Sequence, residues 1–200
     1  QWINGRSNAH VVSGRWVFTT YYPGAAHPYD AYQSLIVDAQ TGQAIDPWAL
    51  FESASLTPLA DAARPLLLNA VNGRDGCAVS TDTFAQQAFD SGVEPKPENY
   101  QAVAVVSSGL SVAIAPGQIS SEACGGFQAT VPWSSIKSAL NAFGVAIADG
   151  QPLPKTGGDG PPASGVAQCK DGEVVVSVLM TPATGAAGLS HQGVLLQFTP

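Results

Sequence analysis

The sequence predicts an α+β fold in which antiparallel strand pairs alternate with helices. The clearest evidence is at residues 100–115, where the runs YQAVAVVS and LSVAIA read as two strands joined by a Ser-Gly turn. A second pair of strand-like runs, at residues 10–22 and 32–39, flanks a corner rich in Pro, Gly and Ala. Between the two pairs, Asp-Pro and Thr-Pro steps mark helix starts.

The first strand pair is rich in β-branched and aromatic residues. Within its first strand, the Ser13-Gly14 step predicts a turn or bulge. Its second strand should pair antiparallel with the first, and the imperfect alternation there is compatible with cover on both faces. The Thr-Gly turn that follows contains Gly42, which can adopt positive φ.

Helix signals follow this strand pair. Asp46-Pro47 opens a short apolar turn, and Thr57-Pro58 opens a longer helix that ends at Asn72-Gly73. Because Pro65 lies inside the longer helix, we expect a kink or a split near Ala63.

Helices and strands also alternate in residues 80–143. A short helix is expected at residues 80–91 and a further strand at residues 127–131. An amphipathic pattern predicts one helix through residues 134–143. Its inward face would be formed by Trp133, Ile136, Leu140 and Phe143.

The C-terminal part has a different composition. Residues 148–165 are rich in Pro and Gly and predict a linker, which separates a first unit at residues 1–147 from a second at residues 166–200. Two strands are expected in the second unit, at residues 173–180 and 193–199.

Charge and hydropathy narrow the classes of function. The net charge is −7, and the eight Lys and Arg residues are scattered, so nucleic acids and anionic membranes are poor partners. The acidity favours a cationic partner, although we prefer the simpler view that it keeps the protein soluble. No apolar run approaches the ~20 residues of a transmembrane helix. The first residues carry neither Met nor a signal sequence, so Gln1 suggests a processed or trimmed chain.

The three cysteines predict a disulfide rather than a zinc site. They form no Cys-x-x-Cys, and the histidines are scattered at positions 10, 27 and 191. In an exported protein, one oxidised pair and one remaining cysteine are expected. Because Cys77 and Cys124 both lie in loop-like contexts, we predict that they are joined, which leaves Cys169 over. Closing such a loop stabilises the fold by about 4 kcal/mol.

His27 is the most attractive candidate for a functional side chain. It lies in the corner after the first strand, near Tyr22, Tyr29 and Asp30, where it could contact a ligand or act as a general base. Asp30 or Asp38 could orient it. We favour a structural role, in which its ring nitrogens bond to nearby carbonyls, because no nucleophile is placed beside it.

Aromatic residues near this corner could form the floor of a binding groove. Filling of the core is an almost equally good explanation, because Tyr21 and Tyr22 are adjacent and must point to opposite faces of a strand. The aromatic set is Trp16, Tyr21, Tyr22, Tyr29 and Tyr32. The binding residues we predict from this region are His27, Tyr22, Tyr29, Asp30 and Tyr32.

No catalytic motif is complete. The chain lacks the G-x-S-x-G elbow of many hydrolases, and no local motif pairs the two carboxylates that a glycosidase needs. It also lacks the glycine-rich loops that hold nucleotide phosphates. We therefore expect a protein that is not an enzyme and needs no cofactor or metal.

Taken in order, several segments resemble the extracellular domain of RsiV-type anti-sigma factors. That domain also occurs in secreted mycobacterial antigens and beside cell-wall polysaccharide deacetylases. The resemblance covers about residues 10–142. Its pieces are the Gly-Ala-Ala-His-Pro corner, the Asp-x-x-Thr-Gly strand end at residues 38–42, and the apolar step at residues 45–51, followed by Asn99-Tyr100, the Ser-Gly-Leu hairpin at residues 108–110 and the segment 117–136.

The resemblance implies an antiparallel sheet with helices packed on one face. It also implies an extracytoplasmic, non-enzymatic domain that binds or senses a protein at the cell envelope. In the anti-sigma branch that protein is a cationic cell-wall hydrolase of the lysozyme type. The chain departs from the family at its beginning, where only Ile3-Asn4 stands for a longer upstream segment.

Residues 166–200 are similar to the opening of another domain, a β-sandwich of unknown function that is frequent in actinobacterial lipoproteins. In that case Cys169 would find its partner beyond Pro200. The alternative is that these strands extend the sheet of the first unit. Two further functions stay open: an envelope enzyme or accessory module acting on peptidoglycan, and a structural subunit of a membrane complex.

Overall fold

The computed structural model describes residues 2–21, 23–24, 28–79 and 83–154, and three strands nearer the C-terminus. Two antiparallel sheets of three strands each form the framework of residues 2–154, which confirms the α+β class. The first sheet contains β1 (Trp2–Ser7), β2 (Val11–Thr20) and β3 (Tyr29–Asp38) in that order, and the second contains β4 (Val103–Val106), β5 (Gly109–Ile114) and β6 (Phe127–Pro132).

The strands β2 and β3 form the long hairpin that the sequence predicted. They pair antiparallel over ten residues each, from Val11 opposite Asp38 to Thr20 opposite Tyr29. The turn or bulge predicted at Ser13-Gly14 was wrong, because β2 pairs with β3 in an unbroken register at these two residues. The irregularity lies on the neighbouring strand β1, between Asn4 and Ser7.

The strand β1 was not predicted. Its polar sequence WINGRS carries no regular alternation, so its strand form depends on pairing with β2. The close approach of its backbone to the second sheet needs a glycine, because a Cβ on Gly5 would meet the carbonyl oxygen of Val105. Tertiary contacts therefore decide the conformation of this segment.

The two sheets meet along the outer edge of β4. The amide of Val105 donates to the hydroxyl of Ser13 at 2.8 Å. The amide and the hydroxyl of Ser34 both donate to the carbonyl of Gln101, at 3.1 and 2.9 Å. Side chains and backbone of the first sheet thus bond to polar groups at the edge of the second, and the bond from Ser13 supplies the partner of a buried amide.

The helices are α1 (Thr57–Asn72), α2 (Thr83–Gly92), α3 (Trp133–Ile136) and α4 (Ala142–Asp149). One face of α1 packs against β6 and buries Leu59, Ala63, Leu67 and Val71. Of the kink or split expected near Ala63, the split is wrong, since α1 is one helix that continues through Pro65. Pro65 and Asp61 are both on the exposed side, so the carbonyl that loses its helical partner faces water.

The single helix predicted at residues 134–143 was also wrong. The chain leaves α3, makes one tight turn, and becomes extended at Leu140 before α4 begins. Asn141 causes the break, because its side chain accepts from the amide of Gly144 and starts a new helix. That helix ends at Asp149, with Gly150 in the left-handed conformation, so residues 148 and 149 are helical and not linker.

The predicted disulfide is present in the structure. Cys77, after α1, is joined to Cys124, before β6, across a sequence separation of 47. Both ends lie beside the apolar core formed between α1 and the second sheet, and Cys124 is buried in it. The covalent link therefore fixes the loop before β6 against the end of α1.

Three further strands lie near the C-terminus. They are β7 (Ala167–Lys170), β8 (Glu173–Val178) and β9 (Val194–Phe198), paired antiparallel in that order. The strands expected at residues 173–180 and 193–199 are confirmed within these bounds, and a third strand joins them. Among the described residues, none of the helices is both long and apolar enough to cross a bilayer.

Candidate functional site

The hairpin β2–β3 has two faces with different surroundings. Its inner face includes Arg15, Val17 and Tyr32, and the register places Val17 directly opposite Tyr32. Its outer face includes Phe18 and Tyr29, because side chains alternate along a strand. Binding on one face is therefore physically separate from binding on the other.

A cleft of about 350 Å³ lies on the inner face, between the first sheet, β6 and the end of α1. Its walls combine apolar side chains with a few polar ones, which is typical of small-molecule sites. The residues that matter most are Ile3, Arg15, Tyr32, Arg74, Phe127 and Gln128.

Arg15 is the buried charge of this cleft. It is only 5% exposed, and one of its terminal nitrogens (Nη2) donates to Oε1 of Gln128 at 2.6 Å. The side-chain nitrogen Nε2 of Gln128 in turn donates to the hydroxyl of Ser111 at 3.0 Å, which keeps Oε1 of the same side chain directed at Arg15. The two other guanidinium nitrogens, Nε and Nη1, have no hydrogen-bond partner among the residues that the structure describes. Burial lowers the pKa of Arg15.

Arg74 lies on the opposite wall and is exposed. It donates to the carbonyl oxygens of Cys124 and Gly126. Its guanidinium carbon lies 4.2 Å from the centre of the Phe127 ring, a cation–π contact. Because the disulfide holds Cys124, it also helps to hold the carbonyls that position Arg74.

Tyr32 stands between the two arginines. The guanidinium of Arg15 is 5.8 Å from the centre of its ring, and the ring lies directly against Gly126, where any side chain would collide with it. Burial raises the pKa of Tyr32, and the negative charge of Asp30 adds to the rise, while Arg15 and Arg74 oppose it. Tyr32 is therefore a neutral hydrogen-bonding group at neutral pH.

The predicted binding residues are only partly brought together. Asp30 and Tyr32 share the inner face, and Asp30 accepts from the hydroxyl of Thr19 at 2.6 Å. Tyr29 lies on the outer face and is 45% exposed. His27 and Tyr22 lie outside the described residues.

Asp38, which could have oriented His27, has a different role. Its carboxylate accepts from the amide of Gln40 at 2.8 Å and from the hydroxyl of Thr41 at 2.8 Å, so it holds the turn after β3. Gly42 in this turn has a φ of 72°, as predicted.

The described members of the aromatic set do not share one surface. Tyr32 faces the cleft, whereas Trp16, Phe18 and Tyr29 belong to the outer face, which we call the aromatic face. The rings of Trp16 and Phe18 are 6.3 Å apart. Tyr21, just beyond β2, is 62% exposed. A partner that binds these aromatic residues would cover the outside of the hairpin.

Sequence reasoning missed Arg15, Arg74 and Gln128. One signal was available for Arg15, since it is a single charged residue within the apolar strand VVSGRWVF. No local signal marks Arg74 or Gln128, which reach the cleft only through the packing of α1 and β6 on the first sheet. Among the described residues, no group of His, Cys, Asp or Glu is arranged to hold a metal ion.

Comparison with known proteins gives a likeness of fold. No protein-family model matches the chain, and no curated protein matches it. Among solved structures, it is similar to a DUF3298 family protein from Pseudomonas aeruginosa, with a TM-score of 0.51 and 13% identity over 70% of this chain and 60% of the other. It is also similar to a DUF3298 family member from Bacteroides fragilis, with a TM-score of 0.48 and 14% identity over 70% of this chain and 53% of the other. The matched region thus spans less than two thirds of either structure, and the first of these likenesses supports a DUF3298-like fold.

Proposed function

We propose that this chain is an extracytoplasmic binding or sensing domain that performs no catalysis and recognises a cationic protein of the cell envelope. The observation that carries the proposal is the aromatic face of the hairpin β2–β3. The partner class that fits best is a cell-wall hydrolase of the lysozyme type.

The aromatic face has the composition of a protein-binding surface. Tyr29 is 45% exposed, and Phe18 and Trp16 are half-buried beside it on neighbouring positions of the same face. Tyrosine, tryptophan and phenylalanine are enriched in interfaces, since they provide a large contact area with little loss of side-chain freedom. The rigid ten-residue strands beneath them would present these rings without a change of backbone.

The disulfide supports the extracytoplasmic location of the chain. Structural disulfides form and persist in secreted and envelope proteins, because the cytosol keeps thiols reduced. The net charge of −7 supports a cationic partner, since opposite charges speed encounter and select against acidic competitors. The resemblance of residues 10–142 to the RsiV-type domain supports the lysozyme type of partner in particular.

The direct test is to titrate the purified chain with lysozyme and to measure binding by calorimetry. We expect saturable binding that weakens as salt is added, because exposed charges are screened within about 10 Å at 0.1 M salt. Replacing Tyr29 or Phe18 by Ala should weaken the binding by roughly tenfold, the effect of one interface aromatic residue.

Phe84→Ala is the matched control. Phe84 is also aromatic and is 77% exposed, but it lies on α2, away from the hairpin. Its replacement should leave the affinity unchanged. The proposal is wrong if the intact chain binds neither lysozyme nor isolated cell envelopes. Hydrolysis of labelled peptidoglycan by the chain would favour the enzymatic alternative instead.

A further inference from the structure

We propose that the inner cleft is a binding site for a carboxylate group attached to a small apolar moiety, with Arg15 as the residue that receives the carboxylate. This site is separate from the aromatic face, since the two lie on opposite sides of the same hairpin. The proposal therefore does not depend on the identity of the protein partner.

The first support is the incomplete bonding of Arg15. Arg15 is 95% buried, yet within the described part of the chain only its Nη2 has a hydrogen-bond partner, and that partner is the neutral side-chain amide of Gln128. A buried charge is stable only when it is paired and its donors are bonded. An anion in the cleft would supply both the opposite charge and the missing acceptors for Nε and Nη1.

The second support is the distribution of charge. Among the described residues, the ion pairs use other cations, namely Arg64 with Asp90, Lys96 with Glu94, and Lys137 with Asp149. Arg6 donates to the backbone carbonyl of Ile147, and neither residue lines the cleft. Neither Arg15 nor Arg74 pairs with a carboxylate in the part of the chain that is described. In a protein with 15 acidic and 8 basic residues, two arginines that have no acidic partner among the described residues thus meet at one cleft.

The third support is the arrangement of Arg74. Carbonyl oxygens and the Phe127 ring hold its guanidinium in place, and none of the ion pairs among the described residues uses it. It is exposed at the cleft, where it would attract an anion before Arg15 binds it. The Tyr32 ring lies against the backbone of Gly126, and Arg74 donates to the Gly126 carbonyl, so both side chains are held at the same glycine of the cleft wall.

The lining of the cleft favours a carboxylate over a phosphate. A phosphate dianion is usually bound by several donors, often backbone amides at a helix N-terminus. Here the end of α1, a helix C-terminus, approaches the cleft, and much of the lining is apolar, as at Ile3, Val17 and Phe127. A volume of about 350 Å³ accommodates a small organic acid whose apolar part packs on these walls.

The test is a titration of the full chain with benzoate, followed by NMR of the arginine Nε–H groups and of the Gly126 amide. We expect saturable shifts of the Arg15 Nε–H and of Gly126, with a dissociation constant on the order of 1 mM for so small a probe. Benzamide, which has the same shape without the charge, should cause no saturable shift of Arg15. Inorganic phosphate at equal ionic strength should bind more weakly than benzoate.

Variants test whether benzoate binds in the cleft. Arg74→Gln changes an exposed residue and should weaken benzoate binding roughly tenfold, the order expected for a charge-assisted contact. Arg64→Gln is the matched control, because it removes another α1 arginine that is paired with Asp90, and it should leave the affinity unchanged. Arg15→Lys tests the buried site, and its folding is checked by its urea midpoint.

Each remaining outcome contradicts the proposal. Absence of a saturable shift with benzoate would mean that Arg15 is satisfied without a ligand. Equal binding of benzamide would show an apolar cavity only, and tighter binding of phosphate would show a different anion class. None of these results bears on lysozyme binding, so the failure of one proposal is distinguishable from the failure of the other.

Discussion

Tyr100 links the stability of the fold to pH through one buried hydroxyl. The side chain is fully buried, and its hydroxyl donates to the carbonyl of Val93 at 2.9 Å. Burial raises its pKa above the ordinary value of 10.0, and the negative charge of Asp61 adds to the rise. The folded protein therefore keeps this proton at a pH at which the unfolded chain releases it.

We predict that the free energy of unfolding falls as the pH rises above 10. The stabilisation is fully present below the unfolded pKa and is lost between that value and the higher folded pKa. Tyr100 alone should account for about 1.4 kcal/mol at pH 11. Urea denaturation at pH 8 and pH 11 measures the loss.

The control for this prediction is Tyr100→Phe. It should lower stability at pH 8 by about 1 kcal/mol, because one buried hydrogen bond is lost. It should also reduce the additional loss at pH 11 by the share assigned to Tyr100. If the variant and the parent lose the same free energy between the two pH values, Tyr100 is not responsible.

Asn141 is the residue that divides the predicted helix into two. Its Oδ1 accepts from the amide of Gly144 at 2.9 Å, and its Nδ2 donates to the carbonyls of Ala49 and Phe51, at 2.9 and 3.1 Å. The amphipathic pattern correctly predicted that Ile136 and Leu140 are buried. It was wrong about the backbone between them, which is not a continuous helix. A side chain that bonds to a distant segment outweighed the local periodicity.

Asn141→Ala should destabilise the protein by about 2–3 kcal/mol, since it removes a helix cap and two donors to partly buried carbonyls. Asn141→Ser keeps a cap acceptor and removes only the donors, so its loss should be smaller. Comparing the two urea midpoints separates the two contributions. A loss below about 0.5 kcal/mol for Asn141→Ala would mean that water replaces these bonds.

At the residue scale, the sequence revealed the disulfide and the turn at Gly42 because both depend on local features. It did not reveal the cleft, although Arg15 was visible as a charge in an apolar strand. Arg15 becomes a candidate site residue only when Gln128 and Arg74 are placed beside it. Those two residues come from β6 and the end of α1, so their positions depend on how the elements pack.

At the scale of elements, the contact between the two sheets could not be predicted from the sequence. Strands β2, β3, β4 and β5 were all predicted from their own composition, and their hairpin pairing is confirmed. The contact between β4 and the first sheet uses Ser13, Ser34 and Gly5, which are small residues with no strong strand signal. Their small size allows the backbones to approach, and the two serines bond to backbone groups at the edge of the second sheet.

Ser13→Ala should show how much this junction contributes. The hydroxyl of Ser13 is the acceptor for the amide of Val105, and Ser13 is only 2% exposed. Without it, a buried amide has no partner, so we expect a loss of about 1–3 kcal/mol in the free energy of unfolding. Amide hydrogen exchange at Val105 should also become faster relative to the rest of β4.

Ser7→Ala is the matched control for the junction, because Ser7 lies in the same sheet but is exposed. It should change stability by less than about 0.5 kcal/mol. If Ser13→Ala is equally neutral and the exchange of Val105 is unchanged, the two sheets are held by apolar contacts alone.

At the scale of the whole molecule, the described residues 2–154 share one apolar core. Helix α1 and the second sheet supply half of its buried residues, and Val11 and Ile36 of the first sheet reach into it. The cleft lies where this core meets the inner face of the hairpin, near the disulfide. The stability of the core and the shape of the cleft therefore depend on the same loop, the one before β6.

Removing the disulfide tests this dependence. Because the bond spans a separation of 47 residues, replacing both Cys77 and Cys124 by Ser should lower the free energy of unfolding by about 4 kcal/mol in the loop-entropy argument. The slope of urea denaturation should increase, because the unfolded chain becomes more expanded. A reducing agent should affect the parent protein in the same way and should leave the double variant unchanged.

The same variant also separates a role of the bond in the unfolded chain from a role in the native state. If the bond acts only by restricting the unfolded chain, the native NMR spectrum of Gly126 and the arginine Nε–H groups should be preserved, because the hydrogen bonds from Arg74 to Cys124 and Gly126 need no sulfur. If the bond also positions the loop, these signals should shift and benzoate binding should weaken together with stability. We expect the second result, since residues 121–126 form only one short 3-10 turn of their own and Arg74 is exposed. An unchanged affinity for benzoate in the double variant would show that α1 and β6 define the cleft without the disulfide.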